Sequence, residues 1–116
     1  MARRKKDPPR LGTAYVLCFD PPYKHAGHYI GWTPHVEDRA RAHMCGTGAN
    51  LVAVQVNAGG SFALTREWPG VTRDFERALK RQGGARRICP ACNPRPRVVA
   101  AAVARDRARR EELGLS

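Results

Sequence analysis

Residues 14–32 read AYVLCFDPPYKHAGHYIGW, and this stretch decides the fold. The run Ala14–Phe19 is aromatic and β-branched, and such side chains suit a pleated surface better than a helix. Asp20, Pro21 and Pro22 are expected to end that strand, because proline has no N–H to give to a ladder. A loop of turn formers leads to His28–Trp32, a second short strand placed to pair with the first as an antiparallel hairpin. Neither run alternates cleanly between polar and apolar residues, so both faces of the sheet are expected to be covered.

Downstream, Thr33-Pro34 has the form of a helix opening, with threonine as cap and proline where no hydrogen bond is lost. Glu37 and Asp38 suit the first turn. The helix is expected to run to about Cys45, with Val36, Ala40, His43 and Met44 on one face, and to stop at Gly46–Gly48. Leu51–Val56 fits either a strand or a short helix, since periodicity over so few residues does not choose. Phe62–Trp68 is a better strand. Pro69-Gly70 is expected to turn the chain into a helix from Thr72 to Gln82, whose buried stripe is Val71, Phe75, Ala78 and Leu79.

A last helix is expected over 98–113, apolar at Val98, Val99, Ala102 and Val103. Asp106 with Arg110, and Arg107 with Glu111, stand at i,i+4 spacing on it. Its first half is expected to dock on the body and its second half to run into solvent. The fold class expected is therefore α/β (α+β): a small three-stranded antiparallel sheet flanked by helices. Residues 1–11 form a basic arm, 12–94 the domain, and 95–116 a basic C-terminal helix.

A chain of 116 residues can close one modest core. Its formal charge of +11 and pI near 10.6 point to a polyanionic partner, nucleic acid first and an acidic membrane surface second. Five basic residues and one acid fall in the first ten positions, and six basic residues and three acids in 95–116, so the ends carry much of the charge. There is no apolar run long enough to span a bilayer and no secretory leader pattern, so a cytoplasmic protein is expected. Of four cysteines, Cys89 and Cys92 alone have ligand spacing, as Cys-Pro-Ala-Cys. They are half of a zinc site, whose other half would come from Cys18, Cys45, His25, His28 or His35, or else a proline turn holding two free thiols.

Tyr29-Ile30-Gly31, followed by Trp32-Thr33 and a helix carrying Arg39, resembles the GIY-YIG nuclease domain, in particular its small stand-alone, URI-like members. The first half of that motif reads Thr13-Ala14-Tyr15 here and keeps only its tyrosine. His43 and the following run to Ala49 are similar to the helix-ending histidine and glycine loop of the small members. The segment Asp74–Lys80 resembles the one that holds the family's metal-binding glutamate, here Glu76. The likeness covers roughly residues 12–93. Each residue has a plainer reading: Glu76 as a surface partner of Lys80, Arg39 as an exposed helix charge, and the tyrosines as cross-strand aromatics. Their order on the right elements favours the joint reading.

The resemblance implies a metal-dependent endonuclease acting on nucleic acid, DNA first, with Tyr15, Tyr29, Arg39, His43 and Glu76 in its site. Glu76 would hold one Mg²⁺ or Mn²⁺, Arg39 would grip the phosphate, and Tyr15 would help deprotonate the attacking water. That last role requires Arg39 or the metal to lower a tyrosine pKa normally near 10. Asn93 is the nearest match to an asparagine that closes the family's site. Arg41, Lys80, Arg81, Arg86 and Arg87, with the two arms, are expected to meet phosphates. The alternative is a nucleic-acid-binding module without catalysis, and a third reading is an interaction domain built around zinc.

Overall fold

The computed structural model describes residues 11–45, 48–96 and 99–115. Three strands, β1 (Gly12–Tyr23), β2 (Ala26–Thr33) and β3 (Ser61–Val71), form an antiparallel sheet in the order β2-β1-β3. Helices α1 (Val36–Met44) and α2 (Asn50–Asn57) lie between β2 and β3. After β3 come α3 (Arg73–Gln82), the single turn α4 (Ala85–Ile88) and α5 (Ala100–Glu112). This is the expected mixed α+β fold with its extra C-terminal helix. Residues 1–10 of the basic arm, Gly46 and Thr47 in the glycine stop, and Arg97 and Val98 at the expected start of the last helix lie outside the described residues.

The central strand is covered on both faces, as its unbroken apolar run predicts. Side chains of Ala14, Val16 and Cys18 point one way, where Ala14 and Val16 join Ile30, Phe75, Leu79, Ile88, Cys89, Val99 and Ala102 in one core. Tyr15, Leu17 and Phe19 point the other way and form a smaller core with Val52, flanked by Tyr29, Leu51, Val56 and Phe62. The segment that could have been strand or helix is helix α2, because Val52 must reach that second face. Its buried Gln55 donates from Nε2 to the carbonyls of Pro21 (3.1 Å) and Ser61 (2.7 Å), tying the ends of β1 and β3 together.

Several boundaries differ from expectation for local reasons. Thr33 is the end of β2, and its hydroxyl accepts from the His35 N–H at 3.1 Å; the helix begins only at Val36. The prolines at 21 and 22 do not end β1, which continues on the outer side of an irregular stretch to pair Tyr23 with Ala26. Pro69-Gly70 is not a turn out of the sheet. The pairing shifts from Ala14↔Trp68 to Gly12↔Val71, so the dipeptide is absorbed as a bulge with Gly70 at φ 69°. A second shift, between Val16↔Arg66 and Leu17↔Leu64, leaves Thr65 as the extra residue.

Helix faces also differ. Met44 is 71% exposed and Val103 45% exposed, so neither belongs to a buried stripe, whereas His43 and Ala102 do. Helix α5 is anchored in its second half as well as its first. Buried Asp106 accepts from the N–H and the hydroxyl of Thr72, both at 2.6 Å, and from Arg110 Nε at 2.9 Å. Arg110 also donates to the Gly70 carbonyl, and Arg109 pairs with Asp74 at 3.2 Å. A carboxylate from α5 thus takes the backbone donor at the N-cap of α3, where Thr72 makes no side-chain cap of its own.

Candidate functional site

Tyr15 is the Cα partner of Gly31 across β1 and β2, and Tyr29 stands two residues from Gly31 on the same face. The two tyrosines are therefore diagonal neighbours, with ring centroids 6.2 Å apart. Glycine at 31 is what permits this. A Cβ there would collide with the hydroxyl end of Tyr15 and approach Tyr29 to 2.8 Å.

Helix α1 lays His43 over both rings, at centroid distances of 5.9 Å from Tyr15 and 5.6 Å from Tyr29. The Tyr15 hydroxyl and His43 Nε2 share a buried hydrogen bond of 2.9 Å. His43 Nδ1 is buried with no hydrogen-bond partner among the described residues, and a Cβ on Gly48 would occupy its place. One turn earlier on the same helix, Arg39 stands near enough to both tyrosines to interact with them electrostatically. From α3, Glu76 is close enough for its charge to bear on Tyr15. Its carboxylate, on a side chain 14% exposed, lies 3.8 Å from Lys80 Nζ, and Lys80 stands 6.0 Å from the centre of the Tyr29 ring. The five residues expected to form one site are thus gathered by β1, β2, α1 and α3.

The electrostatics of the set differ from expectation at Tyr15. Its pKa is pushed up to about 12, first by burial and then by the neighbouring Tyr29; the hydrogen bond and charge of Arg39 pull it down but do not prevail. The phenol keeps its proton at neutral pH. Burial works against the Arg39 cation, yet the tyrosine oxygens more than compensate and raise its pKa. His43 is lowered, by burial and by the charge of Arg39, so its ring is neutral.

The basic residues proposed from sequence fall in different places. Arg41 is exposed and paired with Asp38 at 3.2 Å, Arg81 lies beside a groove between α3 and α5, and Arg86 and Arg87 are exposed on α4. Asn93 stays with the cysteine turn, its amide donating to the Arg87 carbonyl at 2.8 Å and accepting from the Arg95 N–H at 3.1 Å.

The structure also completes the cysteine pair. Cys18 and His28 lie with Cys89 and Cys92 in a group whose ligand atoms are all within 4.8 Å of one another, a set able to hold a metal ion. Both partners are among the residues that the spacing left open, but only the hairpin register makes them direct neighbours. His25, His35 and Cys45 are not part of it. Thr65, which the sequence gave no reason to notice, is turned by its bulge to place Oγ1 3.2 Å from Cys89 Sγ. Cys18 is pushed up to about 12 by burial and its neighbouring thiols. Cys89 is lowered although burial, the largest single influence, pushes it up; the Thr65 hydroxyl and the backbone N–H groups of Ala91 and Cys92 outweigh that. Among the described residues no helix is long and apolar enough to cross a membrane. No protein-family model, curated protein or solved structure matches the chain.

Proposed function

We propose that the chain is a GIY-YIG-type endonuclease that hydrolyses phosphodiester bonds in nucleic acid, DNA first, with Tyr15, Tyr29, Arg39, His43 and Glu76 as its site. The observation that carries this reading is convergence: five residues chosen by their order in the sequence come from four elements to one place. The chain's charge of +11 supports a polyanionic substrate.

The donors fit a hard divalent cation. Glu76 offers carboxylate oxygens whose ion pair among the described residues is a 3.8 Å contact with exposed Lys80, and its charge bears on the phenol of Tyr15. Mg²⁺ is commonly held by one or two carboxylates and otherwise by water and substrate oxygens. When bound by Glu76, the ion supplies positive charge at the phosphate and makes a water more acidic.

The chain's own residues account for the rest. Arg39, charged at any working pH, presents its fork to the non-bridging oxygens. Tyr15 acts as a relay and not as a ready-made base: its oxygen takes a proton from the attacking water while its own proton passes along the 2.9 Å hydrogen bond to neutral His43. Lys80, Arg81, Arg86 and Arg87 add charge for phosphate contacts, so binding is expected to be strongly salt-dependent and weakly sequence-specific.

The test is cleavage of labelled duplex, branched, single-stranded and RNA substrates by the full chain with Mg²⁺ or Mn²⁺. Glu76→Gln is expected to lower the rate on the order of 10³-fold or more, with binding kept or tightened. A folded wild type that cuts none of these substrates, or a Glu76→Gln variant as fast as wild type, rejects catalysis. Binding alone would then support the alternative, a non-catalytic nucleic-acid module, in which the Glu76–Lys80 pair is simply an i,i+4 helix contact.

A further inference from the structure

The opposite face of the same hairpin carries a group that the nuclease reading does not use. Cys18 and His28 are Cα partners across β1 and β2, so their side chains leave the sheet together. The turn after α4 brings Cys89 and Cys92 onto them. Cys18 Sγ lies 3.7 Å from Cys92 Sγ, and Cys92 Sγ lies 3.4 Å from His28 Nε2. Zinc–sulfur bonds of about 2.3 Å and zinc–nitrogen bonds of about 2.0–2.1 Å in a tetrahedron set edges of about 3.8 Å between sulfurs and about 3.5 Å between sulfur and nitrogen. These two spacings have the size that such a centre requires, and the four ligand atoms all lie within 4.8 Å of one another.

We propose that Cys18, His28, Cys89 and Cys92 bind one structural zinc ion. Three sulfurs and an imidazole are soft donors that suit zinc and do not suit Mg²⁺. Four protein ligands fill a tetrahedron and leave no open position for substrate, so the ion fastens and does not catalyse. What it fastens is definite: the 89–93 turn to the β1–β2 hairpin, whose Val16 and Ile30 already share a core with Cys89.

The surroundings match. Cys92 N–H and Asn93 N–H both donate to the Cys89 carbonyl, at 3.1 and 2.9 Å, closing the Cys-Pro-Ala-Cys segment into a knuckle. Beyond the four residues, Thr65 Oγ1 stands 3.2 Å from Cys89 Sγ. Such outer partners orient ligands and hold charge on sulfur. Arg86 is near enough to His28 to act on it electrostatically, and it would offset the net negative charge of three thiolates around Zn²⁺.

The inference does not rest on nuclease activity, and its test needs none. The full chain, purified under reducing conditions from zinc-containing medium, is expected to hold one zinc per chain by elemental analysis. Cys45→Ser, which changes an exposed cysteine outside the group, is expected to keep it. Cys89→Ser and Cys92→Ser are expected to lose it, and Thr65→Val to keep the stoichiometry while weakening zinc about 10-fold. Should the ligand variants fail to fold, wild type decides alone. After chelation, Co²⁺ is expected to give the intense visible bands of a tetrahedral site with thiolate charge transfer, and Zn²⁺ but not Mg²⁺ to restore the melting temperature. Folded, reduced wild type without zinc and without a tetrahedral Co²⁺ spectrum overturns the proposal. So does a Cys18–Cys92 disulfide in freshly isolated protein, or full zinc in the Cys89→Ser, Cys92→Ser double variant.

Discussion

The two faces of the β1–β2 hairpin are built to opposite rules. On one, Tyr15 and Tyr29 stand near a guanidinium, a carboxylate and an imidazole whose Nδ1 has no hydrogen-bond partner among the described residues. On the other, Cys18 and His28 meet Cys89 and Cys92 in a group that one metal ion would close. Alternation along a strand separates them: residues 15 and 29 point one way, 18 and 28 the other. The lesson is that one hairpin keeps two polar clusters of different chemistry apart, the proposed reactive site on one face and the proposed zinc site on the other. Changes on the first face should alter rate more than stability, and changes on the second should do the reverse.

Tyr15→Phe tests that division most severely. The ring and its packing stay, and only the hydroxyl that reaches His43 is lost. Cleavage is expected to fall by about 10²–10⁴-fold, the usual worth of a positioned proton carrier. Stability should fall by about 1–3 kcal/mol, because His43 Nε2 loses its buried partner. Single-turnover rates and urea melts on the same preparation would check both. A variant that unfolds as easily as a zinc-ligand variant but cuts normally would mean that the two faces have been assigned the wrong way round.

Next in size is Asp106, which belongs to neither site but sets where α3, and hence Glu76, begins. Its carboxylate serves Thr72 and Arg110 while 7% exposed, so Asp106→Ala strands those donors and is expected to cost about 3 kcal/mol. Burial pushes its pKa up, but the Thr72 hydrogen bonds and Arg110 prevail and hold it below the usual carboxylate value. Its stabilisation is therefore present above the unfolded pKa of about 3.9 and is lost as pH falls through the lower folded value. Acid titration of wild type against Asp106→Asn, followed by circular dichroism, should show the variant with the shallower loss. An equally steep loss in both would remove Asp106 from the acid response.

Much of this was legible in the sequence where local chemistry and tertiary role agree. The Ala14–Phe19 and His28–Trp32 strands were readable because both faces need apolar side chains, and the tyrosine pair followed from them. Helix α2 was ambiguous because eight residues span barely two helical turns, and only the second core shows which face Val52 must reach. Pro69-Gly70 looked like a turn because a bulge uses the same residues, and only the ladder on Gly12 shows that the strand resumes. The zinc half-site was readable as Cys89 and Cys92. Its completion was not, since Cys18↔His28 is a matter of register and Thr65 of a bulge, neither of which leaves a mark on spacing. Asp106 was visible only as a helix partner of Arg110, because nothing in α5 announces that it caps α3.

A smaller effect is expected at Gly31, where the first face depends on an absent side chain. Gly31→Ala places a methyl group against the end of Tyr15, a residue only 2% exposed and covered by His43. Overpacking of this kind costs about 1–3 kcal/mol. The displaced hydroxyl should also reduce cleavage, whereas zinc content on the opposite face should not change. Loss of zinc in Gly31→Ala would show that the faces are coupled through the hairpin backbone, which would sharpen the comparison instead of supporting it as drawn.

The smallest expected effect concerns the proton balance of His43. Burial lowers its pKa first and the charge of Arg39 lowers it further, so the folded chain keeps the imidazole neutral at pH values where the unfolded chain has begun to protonate it. Below about pH 6.5, the ordinary histidine value, the unfolded state binds more protons than the folded state at this position. The contribution of His43 to stability is therefore intact above that pH and declines as pH falls toward the lower folded value. His43→Gln removes this titration while keeping a polar side chain of moderate size beside Tyr15. Melting temperatures of wild type and variant, measured with zinc present from neutral to mildly acidic pH, should draw together on acidification. His28 is common to both proteins and cancels in the difference. If the two curves stay parallel, His43 takes up its proton alike in the folded and unfolded chains, and the lowered folded value is rejected.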